Sequence, residues 1–362
     1  MRSCLVIAIL LSASCREAEH DSAPHYILDD KDIIRLDNQS IDLASTGIPP
    51  DTLTKAFNSS ALIVTAAASD KKKSMRFCSG TLIAPEEGSV LPRIVTNQHC
   101  FAKKNSEGEA LGTIIENICD KTHAYFSFSR QKEPIAKKCL PGSLKVSVVA
   151  DLAIFTLKSS FDDDQIENYR PMKIWEGAVP VGRRAFIVHY PCIEVDGVCC
   201  FDKPNACTQA QQQQLESTEM LMLTDVGAKF PKLAITASDC YVLGGFDKAL
   251  WANKPTLALG LRHRCDLVQG SSGSGLIDVE TGALLGVNWG GVTIAEKYQY
   301  NIASSSSYLR EFIDTGKVTP PETRRGLTSG QCGTIGSPFN YLTTILLLSP
   351  LLAWQATWRR RR

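Results

Sequence analysis

The chain has almost no charge bias. Its 39 Lys and Arg offset 38 Asp and Glu, a net charge of +1 over 362 residues, so nothing in its charge points to a nucleic-acid partner or an acidic substrate. It also lacks metal-ligand spacing. The adjacent Cys199-Cys200 and the six scattered histidines form none of the patterns that hold zinc, and neither a metal nor a cofactor is expected. Apolar material is not lacking: 44% hydrophobic composition suffices for one large or two ordinary cores and excludes a disordered protein.

Both ends read as processing signals. Arg2, the apolar run Leu5 to Leu11, the small residues Ser12 to Ser14 and then Cys15 make a compact secretory signal over residues 1–15. Cys15 is either lipid-modified or close to a simple cleavage site; Ser12 stands where the lipoprotein pattern usually has Leu. Residues 339–362 hold an apolar stretch of membrane-spanning length, Phe339 to Trp358, interrupted by Pro350 and closed by Arg359 to Arg362. With Ser329-Gly-Gln-Cys-Gly-Thr-Ile-Gly-Ser337 in the preceding 319–338 linker, this tail resembles a bacterial C-terminal sorting signal; an ordinary membrane anchor is the other reading. The remainder is expected outside the cytoplasm, in the cell envelope, on the surface or secreted, and attached to the membrane through the tail or a lipidated Cys15.

Cysteine arithmetic points the same way. Of 13 cysteines, Cys4, Cys15 and Cys332 belong to the ends, which leaves an even number and room for up to five disulfides. Cys192, Cys199, Cys200 and Cys207 fall in one short polar segment, read as a disulfide-stapled surface loop whose pairing stays open.

Residues 16–50 are polar, with Asp29, Asp30, Asp32 and Asp37 and no sustained periodicity, and read as a linker or propeptide. From there on, short β-type runs alternate with turn residues: Leu62 to Thr65, Gly80 to Ile83, Arg93 to Thr96, Ala124 to Phe128, Leu144 to Val149 and Leu152 to Leu157. They resume with Arg184 to Tyr190, Met220 to Leu223, Leu233 to Thr236, Leu257 to Leu261, Leu276 to Asp278 and Leu284 to Trp289. Many short strands with little helix between them predict an all-β sandwich or barrel, here as two units joined near residues 159–171. Ser304 to Ser307 are placed to cap a closing helix whose apolar face is Leu309, Phe312 and Ile313 and which stops at Gly316.

Cys265-Asp-Leu-Val-Gln-Gly-Ser-Ser-Gly-Ser-Gly275 is either a Gly/Ser linker or a nucleophile loop built around Ser272. A serine hydroxyl needs a base to take its proton and backbone N–H donors to hold the oxyanion, and Gly270 and Gly273 supply the backbone freedom for the second task. A base and an orienting carboxylate are at hand. His99 ends the apolar run Ile94 to Thr96 and precedes Cys100, a possible partner of Cys78 that would pin the histidine loop to its neighbouring strand. Asp151 opens Asp-Leu-Ala-Ile-Phe-Thr-Leu157 and is either a surface turn residue or a buried carboxylate paired with His99.

These segments resemble the chymotrypsin-like (trypsin-like) serine peptidases, and within them the bacterial glutamyl endopeptidase and exfoliative-toxin group. The resemblance rests on Phe77-Cys-Ser-Gly-Thr-Leu-Ile83, Asp151-Leu-Ala-Ile154, Val181-Gly-Arg-Arg-Ala-Phe-Ile-Val-His-Tyr-Pro191 and Gly286-Val-Asn-Trp-Gly-Gly-Val292, in the order His99, Asp151, Ser272. It implies a peptidase domain over residues 51–318 with two perpendicular six-stranded antiparallel β-barrels and a C-terminal helix, acting on protein or peptide substrates as a monomer. It implies Ser272 as nucleophile, His99 as base, Asp151 as its orienter, and the amides of Gly270 and Ser272 as the oxyanion hole.

Two departures from the family bear on activation and specificity. The digestive branch has an Asp directly before the nucleophile that pairs with a newly cut N-terminus, whereas this chain has Ser271. Asn288 replaces the histidine with which glutamyl endopeptidases bind substrate carboxylate, and Asp266, six positions before Ser272, matches the pocket-floor aspartate of the trypsin branch. Substrate contacts are therefore assigned to Asp266, Asn288, Trp289 and Gly290, with Arg or Lys preferred before the cut bond. A non-catalytic homologue acting as a surface binding module is the competing expectation.

Overall fold

The computed structural model describes residues 33–35, 43–69, 72–104, 110–126, 135–161, 169–190, 194–195, 198–199, 233–246, 260–267, 270–294 and 297–319. The secretory signal, the sorting motif, the C-terminal tail, Cys192, Cys200, Cys207 and the expected run Met220 to Leu223 all lie outside the described residues. Among the described residues, no helix is long and apolar enough to cross a membrane.

The strands run β1 (Ile33–Arg35), β2 (Ser60–Ser69), β3 (Lys72–Ile83), β4 (Arg93–Thr96), β5 (Ala102–Lys104), β6 (Ala110–Ile114), β7 (Thr122–Phe126), β8 (Ile135–Lys138), β9 (Lys145–Ser147) and β10 (Leu152–Thr156). Then follow β11 (Ala185–His189), β12 (Glu194–Val195), β13 (Val198–Cys199), β14 (Ala234–Thr236), β15 (Val242–Phe246), β16 (Gly260–His263), β17 (Gly275–Asp278), β18 (Leu284–Ile294) and β19 (Lys297–Ser305). Fifteen of them form two curled antiparallel sheets, in the orders β8-β7-β2-β3-β4-β10-β9 and β1-β14-β11-β17-β18-β19-β16-β15, while β5–β6 and β12–β13 pair as separate two-stranded ribbons.

The sheets thus hold seven and eight strands where six each are expected. One addition is β1, which comes from the stretch read as linker and pairs antiparallel with β14, Ile34 opposite Ile235. The crossing from one sheet to the other falls between β10 and β11. There Met172 bridges to Ile83 at the end of β3 and Ile174 to Leu284 at the start of β18, so a three-residue segment pairs with both sheets.

Two helices flank the sheets. Pro50–Ser59 is missing from the expectations, although Pro50 suits a first turn and Leu53 and Ala56 fall on one face, which they bury. Ser306–Thr315 buries Leu309 and Phe312 and stops at Gly316, whose φ of 71° is the left-handed geometry of a helix terminus. Serine capping differs from expectation: Ser305 holds the N-cap position without a side-chain cap, its hydroxyl bonds that of Ser307 at 2.7 Å, and the Ser304 hydroxyl is spent on the carbonyl of Ala150.

Three apolar clusters follow from this layout. One fills the first sheet with residues such as Leu82, Phe101 and Phe155, and one fills the second with Ile187, Leu276 and Leu285. The third lies between them, where Leu62, Val95 and Ile154 meet Phe186, Ile277 and Leu309. The two sheets are therefore welded by a shared core, and loops at their seam are held on rigid elements.

The β17–β18 hairpin carries the serine loop at its start and is closed at its other end by a charged turn. Asp278 receives two hydrogen bonds from Arg183 at 2.5 and 2.9 Å and two more from the amide and hydroxyl of Thr281. Burial works to raise the pKa of Asp278, but these bonds outweigh it and hold the carboxyl below its usual value. With the folded value depressed, the stabilisation is complete above the unfolded carboxylate pKa and is lost as pH falls through the folded one. Arg183→Met is expected to cost about 2–3 kcal/mol at neutral pH in chemical denaturation, and the gap from wild type should close in acid. A gap that persists in acid would mean that packing, not the ion pair, holds the turn.

Candidate active site

Asp151 closes the four-residue loop between β9 and β10, with its amide donating to the Val148 carbonyl at 3.3 Å. Its φ is 47°, a left-handed conformation that Asp tolerates better than most residues. This geometry aims both its carbonyl and its carboxylate at the segment after β4. Asn97 Nδ2 and the Gln98 amide donate to the Asp151 carbonyl at 2.9 and 3.3 Å, and the His99 amide donates to Oδ1 at 2.9 Å. His99 Nδ1 lies 2.7 Å from Oδ2. The Asp151 side chain is only 4% exposed, so of the two sequence readings the structure takes the buried, paired one.

His99 sits in the 3-10 turn Gln98–Cys100, and Cys100 is disulfide-bonded to Cys78 of β3. Because an ionised carboxylate only accepts, Nδ1 carries the proton and Nε2 presents its lone pair. Nε2 is 2.9 Å from Ser272 Oγ. The structure thus brings carboxylate, imidazole and hydroxyl into one line, with the imidazole ring 29% exposed at the seam of the two sheets.

The serine loop is a built turn. Gly270 and Gly273 adopt φ values of 91° and 86°, which residues with a Cβ rarely reach. The Ser271 carbonyl accepts from the amide and hydroxyl of Ser274, at 3.0 and 2.6 Å. Ser79 of β3 grips the loop on both sides of Ser271: its amide donates to the Ser272 carbonyl at 2.7 Å and its hydroxyl to the Gly270 carbonyl at 2.9 Å. A Cβ on Gly273 would overlap Thr96 Oγ1 and the Ser79 carbonyl oxygen.

The residues assigned to substrate contact divide. Asp266 is buried next to Cys265, which is bridged to Cys240 and whose carbonyl accepts from Asn301 Nδ2 at 2.7 Å. Trp289 is the extra residue of a bulge in β18 between Asn288 and Gly290, and a Cβ on the buried Gly290 would meet nothing within 4 Å, so open space lies against it. Asn288 does not reach such space. It is fully buried, its Nδ2 donates to the carbonyl and hydroxyl oxygens of Ser274, and its own carbonyl accepts from the Gly273 amide, so it props the serine loop from beneath.

Sequence reasoning missed Ser79 and His189, whose Nδ1 is 2.5 Å from the Ser271 hydroxyl. Each sits in a motif that was noticed, but a serine in a strand and a histidine in an apolar run announce no partner. Among the described residues, the cluster with metal-ligating atoms in reach of one another is Cys78, His99 and Cys100, and its two sulfurs are bonded to each other.

A family model described as "Trypsin-like peptidase domain" matches residues 78–287. No curated protein matches the chain. Among solved structures it is similar to the active form of the Rv3671c protease of M. tuberculosis, at 16% identity and TM-score 0.45 over 78% of this chain and 89% of that one. Deg5 follows at 15% and 0.43, covering 77% and 99%, and human heparin binding protein at 13% and 0.40, covering 72% and 92%.

The tight seat of the serine loop gives a direct test. Gly273→Ala combines an unfavourable φ with overlap against backbone and should destabilise the fold by about 3 kcal/mol or more. Thermal unfolding of this variant beside Gly282→Ala, where the nearest atom is a Thr52 methyl at 3.3 Å, checks the claim. Equal losses would show that the contact across the sheets adds nothing to the strain of φ.

Proposed function

The chain belongs to the trypsin-like peptidase domain family, and from that premise we propose that it is an exported serine endopeptidase working through an acyl-enzyme. The observation that carries this reading is the unbroken line from Asp151 Oδ2 through His99 to Ser272 Oγ, with steps of 2.7 and 2.9 Å. Ser272 Oγ attacks the scissile carbonyl while His99 Nε2 takes its proton and then returns it to the leaving amine. Asp151 keeps Nδ1 protonated and stabilises the imidazolium that forms. The amides of Gly270 and Ser272 hold the oxyanion, a donor pair of which each member is typically worth about 3–4 kcal/mol in the transition state.

For specificity, the reading places Asp266 at the base of the pocket beside Gly290, selecting Arg or Lys before the cut bond. A buried carboxylate supports this, since a cationic side chain would be the partner it favours. Kinship with the glutamyl endopeptidases and exfoliative toxins rests on the Phe77 to Ile83, Val181 to Pro191 and Gly286 to Val292 segments, while the turned-away Asn288 speaks against their glutamate preference. Export is supported by the disulfides Cys78–Cys100, Cys119–Cys139 and Cys240–Cys265, which persist in oxidising compartments. Membrane attachment through the tail or Cys15, and a monomeric state, complete the proposal.

Labelling with a fluorophosphonate probe tests the chemistry. Wild type should be modified at Ser272 and Ser272→Ala should not; absence of labelling from wild type would leave a non-catalytic binding module instead. Digestion of a peptide library should show cuts concentrated after Arg and Lys, with Asp266→Ser lowering kcat/KM for them by about 100-fold or more. Cuts spread evenly over other residues would remove Asp266 from the pocket.

A further inference from the structure

Ser271 is the residue between the two amides assigned to the oxyanion hole, so its placement orients both. It is fully buried, and its hydroxyl lies 2.5 Å from Nδ1 of His189, itself fully buried at the end of β11. The other ring nitrogen is 3.4 Å from the Thr236 hydroxyl of β14. A neutral imidazole offers one donor and one acceptor, and two hydroxyls can turn to complement either tautomer, so this contact is satisfied without any charge. The next residue, Tyr190, donates its amide to Ser79 Oγ at 2.9 Å, and Ser79 in turn grips Gly270 and Ser272. Gly270, Ser271 and Ser272 are therefore each held by a strand of the chain's own sheets.

We propose that His189 is a positioning residue that locks Ser271 and so pre-forms the oxyanion loop in the uncut chain, with no need for a newly made N-terminus. The inference rests on the serine endopeptidase reading above and concerns how that site is switched on. β11 is flanked by β14, which carries Thr236, and by β17, which follows the serine loop, so the ring's two hydroxyl partners come from the neighbours of its own strand. Here a hydrogen bond from β11 to the serine loop does what an ion pair to a cut terminus does elsewhere, because Ser271 carries no charge that such a terminus would seek.

The test has two arms. In the first, His189→Leu and Ser271→Ala should each lower kcat and the fluorophosphonate labelling rate by about 10- to 100-fold, with KM within about twofold of wild type. His189→Asn, which keeps a polar group near the Nδ1 position, should recover most of the rate, and the His189→Leu/Ser271→Ala double variant should be no slower than either single one. Unchanged rates in Ser271→Ala, a change small enough to fold, or fully multiplicative losses in the double variant, would overturn the assignment. In the second arm, the full chain is treated with the probe and weighed intact. The adduct should appear on chains that still carry residues 16–50, the strand β1 included. Labelling confined to trimmed chains would sink this inference alone, whereas labelling of neither form would sink the peptidase reading with it.

Discussion

The grip of the Asn97–His99 segment on Asp151 is the interaction that the rest of the site depends on. Four donors converge on one residue: Asn97 Nδ2 and the Gln98 amide on its carbonyl, the His99 amide and Nδ1 on its carboxylate. A carboxylate this buried would be expensive without partners, and here the partners come from the element it must orient. The cost that remains is the left-handed backbone of Asp151, of the order of 1–3 kcal/mol for a non-glycine residue in general and less for Asp. Strain of this kind persists only where the surroundings over-determine it, and the four donors together with the Cys78–Cys100 bridge provide that.

The second half of the site is fixed from the opposite sheet. The serine loop grows out of β17 but is anchored on β3 through Ser79 and is packed against Thr96 so closely that only glycine fits at 273. The Ser304 hydroxyl crosses in the other direction, to Ala150 next to the carboxylate. Ser272 is thus positioned by bonds from the sheet that does not carry it, and the residue beside Asp151 receives one bond in return. Opening the seam would break these bonds together with the shared core, so the alignment of Ser272 with His99 is coupled to the global stability of the fold.

How much of this is legible in the residues depends on whether a signal is local. The strand runs, the closing helix with its stop at Gly316, and the segments around His99, Asp151 and Ser272 each carry their pattern within a few positions. Ile33–Arg35 carries none, because a three-residue edge strand is defined by its partner β14 rather than by its own composition. Asn288 departs from its expected place for a related reason: its position in the chain fits a pocket wall, but its amide turns under Ser274, a partner fourteen residues away. Ser79 and His189 were invisible because a buried hydroxyl or imidazole acquires meaning only from a contact distant in sequence.

That difference has a consequence for reading activation. Judged from sequence, Ser271 marks the loss of a device, since it lacks the charge that would pair with a cut terminus. Judged from its surroundings, the position is occupied by a different device of the same reach, a hydroxyl held at 2.5 Å by a ring whose far side meets Thr236. An ion pair to a mobile terminus forms only after cutting, so it makes loop order conditional. A hydrogen bond from a residue of β11 to the serine loop forms as the loop folds onto its own sheet, and loop order then follows from folding.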